Sequence, residues 1–231
     1  MAAPEAHQVG LRFEKVDKRY GAVYALRNLS LTIAAGECVA LAGRNGSGKT
    51  TLLRVASSLT RPSRGSVSYA GIAENQNPKI GFVAHATMVY DELSAEENLL
   101  FFAQLLGVAK REERVLELLR EVGLSERKHS LVRTFSRGMR QRVAIARALL
   151  AQPSLLLFDE PATGLDTEAS AWLTDHLRKL RDAGCTMLMS LHGESEVARL
   201  ATRAVRLEAG NVVADTRTGA TFQSIFSFAG G

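Results

Sequence analysis

The densest chemistry in the sequence is Gly43-Arg44-Asn45-Gly46-Ser47-Gly48-Lys49-Thr50, followed by Thr51. Its glycines free the backbone to aim several N–H groups at one point. Lys49 adds a fixed positive charge, and Thr50 adds a hydroxyl that can ligate Mg²⁺. The spacing fits a phosphate-binding P-loop; a plain glycine turn would not need the Lys-Thr pair. A second candidate lies at Leu155-Leu156-Leu157-Phe158-Asp159-Glu160, an apolar run ending in two carboxylates. Adjacent acids can divide the labour, with Asp159 holding Mg²⁺ through water and Glu160 orienting or deprotonating the water that attacks a γ-phosphate.

Both motifs need a strand to deliver them. Cys38 to Ala42 is apolar and predicts a strand leading into the glycine-rich loop, and Leu52, Leu53, Ala56 and Leu59 fall on one face of a helix over 50–59. Leu155 to Phe158 predicts a strand whose carboxyl end presents the two acids, where ligands of open α/β sheets bind. Alternation at 11–16 and 29–33 predicts two further strands, and Ser66 to Tyr69, Ile80 to Val83 and Thr186 to Ser190 three more. Helices are predicted at 96–106 and 112–122, separated by Gly107, and at about 138–151 and 168–183. Residues 204–215 read as two edge strands joined at 208–211, and the tail 216–231 is left unassigned. Such alternation implies an α/β fold with a mainly parallel sheet and helices on both faces.

Bulk properties narrow the classes. At 231 residues and 46% hydrophobic, the chain can bury a sizeable core. Cys38 and Cys185 each sit in apolar runs and read as small buried hydrophobes, which fits a reducing compartment. The start carries no signal-peptide pattern, and the apolar stretch 143–158 is broken by Arg147, Gln152 and Pro153, short of the roughly 20 residues a spanning helix needs. The net charge of +5 is scattered, so no direct nucleic-acid partner is expected.

The segment Thr134-Phe135-Ser136-Arg137-Gly138-Met139-Arg140-Gln141-Arg142, upstream of Asp159, resembles the signature segment of the ABC ATPase family. The resemblance covers residues 11–215. The usual pattern is Leu-Ser-Gly-Gly-Gln; Ser136 and Gly138 keep the serine and second glycine, and Phe135, Arg137 and Met139 depart from it. The resemblance implies a RecA-like P-loop NTPase core (11–85 and 136–215) carrying an N-terminal antiparallel β subdomain. It also implies an inserted α-helical subdomain (86–135) and a C-terminal tail (216–231). It implies ATP and Mg²⁺ as cofactors, and a dimer, of two copies or with a related subunit, formed around ATP. In that dimer the segment Ser136 to Met139 caps the γ-phosphate held by the opposite subunit. It further implies that Tyr20 stacks on adenine, that Asp166, in Pro161 to Asp166, belongs to a loop linking the two sites, and that His192 contacts the γ-phosphate.

One position departs in a way that bears on chemistry. The family carries glutamine after the strand ending at Ala84, where this chain has His85. The segment Gly81 to His85 with Val89 to Leu99 resembles the heme-exporter ATP-binding subunit of cytochrome c maturation, whose members can carry histidine here. A generic drug or ABC-2-type exporter ATPase is the alternative. Soluble ABC ATPases of repair or translation carry long coiled coils or a second cassette, and P-loop kinases and GTPases lack the signature segment. The resemblance thus implies an ATPase on the cytoplasmic face of the membrane, driving separate transmembrane permease subunits. Met88, Val89, Tyr90 and Leu93 are the predicted anchors for a helix of such a subunit.

Overall fold

The structure, a computed structural model, describes residues 9–72, 78–191 and 198–227. The chain opens with a long hairpin, β1 (Gly10–Tyr20) and β2 (Val23–Ile33), followed by β3 (Cys38–Ala42), α1 (Lys49–Ala56) and β4 (Arg64–Ala70). Strands β2, β1 and β4 form an antiparallel sheet in that order. The hairpin runs well beyond the alternating stretches at 11–16 and 29–33. Register shifts between Phe13 and Arg19 throw the alternation out of phase, so the charged outer half of β1 carries no strand pattern of its own.

The helix predicted over 50–59 stops at Ala56. Ser58 adopts φ 59, and the Thr60 N–H closes back on the Arg54 carbonyl, ending the helix and turning Leu59 out to solvent.

After β5 (Ile80–Val83) come α2 (Ala95–Leu105) and α3 (Arg111–Glu121), then α4 (Arg137–Leu149), β6 (Leu155–Asp159), α5 (Thr167–Asp182), β7 (Thr186–Ser190), β8 (Arg203–Glu208), β9 (Asn211–Asp215) and a short α6 (Phe222–Phe226). The main sheet has the order β5-β6-β7-β3-β8-β9, parallel except for the β8–β9 pair. Its central strands read as continuous apolar runs because both faces are covered. Ala40, Leu156, Phe158 and Met187 point into a core shared with α4 and α5. Val39, Leu41, Leu155, Leu157 and Leu188 point into a second core with α1 and the antiparallel sheet.

Both cysteines are free, Cys38 fully buried and Cys185 half-buried. Burial pushes their thiols up to about 12 and about 11. Neither is a ready thiolate nucleophile.

Candidate active site

The sheet order alone assembles the site. Strands β5, β6, β7 and β3 are consecutive neighbours, and beyond their carboxyl ends lie His85, Asp159 with Glu160, Ser190, and the loop starting at Gly43. Residues far apart in sequence meet at one edge because parallel strands all end there.

The loop is a backbone cradle that side chains would spoil. Gly43, Gly46 and Gly48 all have positive φ. A Cβ on Gly43 would collide with Ser47 Oγ and the Leu207 carbonyl, and one on Gly48 with the Ala25 carbonyl. The Gly210 N–H donates to the Ser47 carbonyl at 3.0 Å, so the β8–β9 turn braces the loop from behind. Gly48 caps α1, leaving the first N–H groups of the helix facing the loop with the positive end of its dipole. Arg44, Asn45 and Gly46 are exposed on the rim, and Thr51 is half-buried in the first turn. Ser47 Oγ is buried and has no hydrogen-bond partner among the described residues.

Lys49 is 95% buried, its ammonium donating to the carbonyls of Gly43 at 2.7 Å and Arg44 at 3.3 Å. Burial lowers its pKa, and the nearby Glu160 and Asp159 oppose that shift. The ammonium is therefore held at the loop by two carbonyls, and two nearby carboxylates favour its charge.

Asp159 is buried and accepts from both Thr50 Oγ1 (3.1 Å) and Ser190 Oγ (2.6 Å) on the same carboxylate oxygen. Among the described residues no group of three or more His, Cys, Asp or Glu could cage a metal. A hydroxyl and a carboxylate in contact are nevertheless a fitting donor set for Mg²⁺. That ion binds hard oxygens, keeps several waters, and takes substrate phosphates for the rest of its shell.

Glu160 follows at φ 54, its N–H donating to the carbonyl and the Oγ of Ser190 at 3.2 and 3.0 Å. His85 Nδ1 lies 3.6 Å from Glu160 Oε2, so the histidine in the glutamine position faces the second carboxylate directly.

The other described residues predicted for the site lie at the end of β1 and at the starts of α4 and α5. Tyr20 ends β1, half exposed, with the Lys18 ammonium 4.9 Å above its ring. Ser136 caps α4, accepting from the Met139 N–H at 3.2 Å, and Ser136 and Arg137 are exposed. Gly138 packs tightly on Ala169 of α5, and the Arg137 side chain lies over Gly164. Asp166 caps α5 through the Ala169 N–H at 2.8 Å. His192 lies outside the described residues.

Several residues that organise the site were not singled out from the sequence. Ser190 joins the Asp159 carboxylate to the Glu160 backbone N–H, Gln141 reaches the Pro161 carbonyl, and Arg147 bonds the carbonyls of Met88 and Phe82 on the segment that carries His85. Asn98 is fully buried, its amide bonding to Tyr90, Leu93 and Ser94 and fixing the turn before α2. A polar residue inside an apolar pattern was the one available signal. Of the predicted anchors, Met88 and Tyr90 are exposed, whereas Val89 and Leu93 are partly buried.

A glycine cradle at a helix start, facing a hydroxyl–carboxylate pair on the neighbouring strand ends, defines a P-loop nucleotide-binding protein. The ABC transporter family matches residues 26–163. The chain is 39% identical over 199 residues to the ABC transporter ATP-binding protein NatA of Bacillus subtilis, covering 83% of this chain and 81% of that one. It is 38% identical over 216 residues to the Nod factor export ATP-binding protein I of Rhizobium johnstonii, covering 90% and 70%. Among solved structures, it superposes on an ATP-binding subunit of an ABC transporter with TM-score 0.80 at 30% identity, covering 94% and 97%. It superposes on a dimeric, post-hydrolysis ATP-binding cassette bound to ADP and Pi with TM-score 0.78 at 31% identity, covering 89% and 97%. The chain belongs to the ABC transporter family, as an ATP-binding subunit that hydrolyses ATP.

Proposed function

We propose that this chain is the motor of an exporter, hydrolysing ATP in a dimer and driving separate membrane subunits. The observation that carries the chemistry is the convergence of Lys49, Thr50, Asp159, Glu160 and His85 on four adjacent strand ends. The loop 43–51 holds the phosphates through its N–H groups and the Lys49 ammonium, and Tyr20 offers its face to adenine. Thr50, and Asp159 through water, would hold Mg²⁺, which would offset phosphate charge. Glu160 orients the attacking water and takes its proton as the bond from water oxygen to the γ-phosphorus forms and the bond to the bridging oxygen breaks. His85, beside Glu160, and His192 contact the water or the γ-phosphate.

Ser136 to Met139 complete the site of the opposite subunit, with Asp166 at the crossing between subunits. Exposure of Ser136 and Arg137 and the dimeric state of the ADP-bound relative support this reading. Segment 86–135 is the helical subdomain, inserted in the core of 11–85 and 136–215. No described helix is long and apolar enough to cross a membrane. By its likeness to ABC transporter ATP-binding proteins, the working position is peripheral, at the cytoplasmic face, against permease subunits. Their docking surface is the groove of about 410 Å³ lined by Leu59, Phe82, Met88, Tyr90, Phe102 and Arg147.

Export is supported by the similarity to the Nod factor export ATP-binding protein I. Heme export rests on the resemblance of residues 81–85, 89–99 and 136–139, and the exporter reading carries no named cargo. Steady-state hydrolysis by the purified chain tests the motor: turnover that needs Mg²⁺ and is lost in Lys49→Ala supports it, and turnover insensitive to that change would sink it.

A further inference from the structure

Glu160 is held in a backbone conformation that its own chemistry disfavours. It is a non-glycine residue at φ 54, and it precedes a proline, whose ring restricts the residue before it. Such a residue persists only where its surroundings over-determine it. On its amino side the restraint is Ser190, whose carbonyl and hydroxyl both accept the Glu160 N–H. On its carboxyl side Pro161 has no N–H to bond. The Glu160 carbonyl accepts from the Thr163 N–H at 3.2 Å, and the Pro161 carbonyl accepts from Gln141 Nε2 at 3.0 Å.

Gln141 comes from outside this turn. It lies on α4 and is 93% buried, and its amide reaches the residue after Glu160. The same helix meets the segment after Glu160 at two more places. A Cβ on Gly138 would lie 2.7 Å from the Ala169 Cβ, and a Cβ on Gly164 would lie 2.7 Å from the Arg137 guanidinium carbon. Gly138 and Gln141 are one helical turn apart and share a face. The first turns of α4 are therefore joined to the stretch from Pro161 to Ala169, and Gln141 is the contact nearest the carboxylate.

We propose that Gln141 is a positioning residue for Glu160, holding the carboxylate's backbone in its left-handed conformation and linking it to the helix that Ser136 caps. The inference rests on the reading of Glu160 as the group that activates water. It adds a route within one chain. A displacement of α4, whose amino end faces the other subunit in the proposed dimer, reaches the chain's own carboxylate through one buried amide.

The test compares Gln141→Met, which keeps length and removes the donor, with the unaltered chain and with both in a Glu160→Gln background. Expected is a kcat about 10- to 100-fold lower, the scale on which a small misplacement of a reacting group acts. KM for ATP stays within about twofold, because the amide touches no part of the P-loop. In single-turnover hydrolysis, the same change costs less than about twofold once Glu160 is glutamine, since Gln141 acts only through that carboxylate. Gln141→Leu, which likewise has no donor at any pH, is expected to show the same kcat loss and carries the test if the methionine variant fails to fold.

Unchanged kcat in either folded variant would overturn the proposal. So would an equal fold-loss in the Glu160→Gln background, which marks a general structural role. A Glu160→Gln chain that turns over at the full rate would instead overturn the reading of Glu160, leaving the effect of Gln141 to be explained separately.

Discussion

Two surfaces flank His85 and are built on opposite principles. On one side, at the strand ends, Lys49 and Asp159 are buried and bonded to carbonyls and hydroxyls. On the other, around Met88, Tyr90 and Phe101, large apolar groups stand exposed, the rings of Tyr90, Phe101 and Phe102 packing mainly on one another. Chemistry on a phosphate needs charges fixed in advance, because reorganising them during reaction would raise the barrier. A docking surface needs apolar area that a partner can cover. The chain puts rigidity and stickiness a few residues apart, with His85 between them.

That contrast can be broken at several points. The largest effect is expected for Glu160→Gln, which should lower kcat by about 10²- to 10⁴-fold, the range of a lost general base, while ATP binding by fluorescence titration stays near normal. Loss of binding instead would make Glu160 part of the cradle.

Next comes the junction between α3 and α5. Buried His176 stacks on Trp172 at 5.0 Å, and the Arg142 guanidinium lies over the Trp172 ring at 4.5 Å. Burial, then the neighbouring Lys179, push the His176 pKa down to about 4, against the pull of Asp175. Its folded pKa lies below the unfolded value of 6.5, so as pH falls the unfolded chain takes the proton first. Stability should be intact at pH 7 and fall between pH 6.5 and 4, by up to about 3 kcal/mol. Urea titrations at pH 7 and 4.5 check it: His176→Gln should flatten the difference, and an unaltered slope would contradict the assignment.

A smaller change is expected for His85→Gln, which restores the family's residue. It should shift turnover about three- to tenfold, as replacing an imidazole 3.6 Å from the Glu160 carboxylate requires. An unchanged rate would remove His85 from the chemistry.

The smallest effect on hydrolysis belongs to the apolar face. Met88→Asp with Tyr90→Asp should leave basal kcat within about twofold and abolish stimulation by the membrane subunits. Loss of basal turnover would mean that the face supports the edge directly.

Much of the edge was legible because its parts are local. The strands β3, β6 and β7 are apolar runs bounded by motif residues, and the glycine-rich loop follows β3 without interruption. The signature segment was placed at a helix start, and Ser136 does cap α4. What escaped depends on tertiary contacts. Nothing local in Gln141 or Ser190 reveals that they flank Glu160. The end of α1 at Ala56 follows from the left-handed Ser58, a choice no pattern of apolar residues announces. The length of the β1–β2 hairpin was hidden by its bulges, and the anchors split because Val89 turns inward beside exposed Met88.

The most direct test of the account is sedimentation velocity of the Glu160→Gln chain with Mg²⁺ and either ATP or ADP. The account predicts a dimer with ATP, a monomer with ADP, and loss of the ATP dimer on adding Ser136→Arg. A chain that stays monomeric with ATP at concentrations well above its ATP affinity would contradict it.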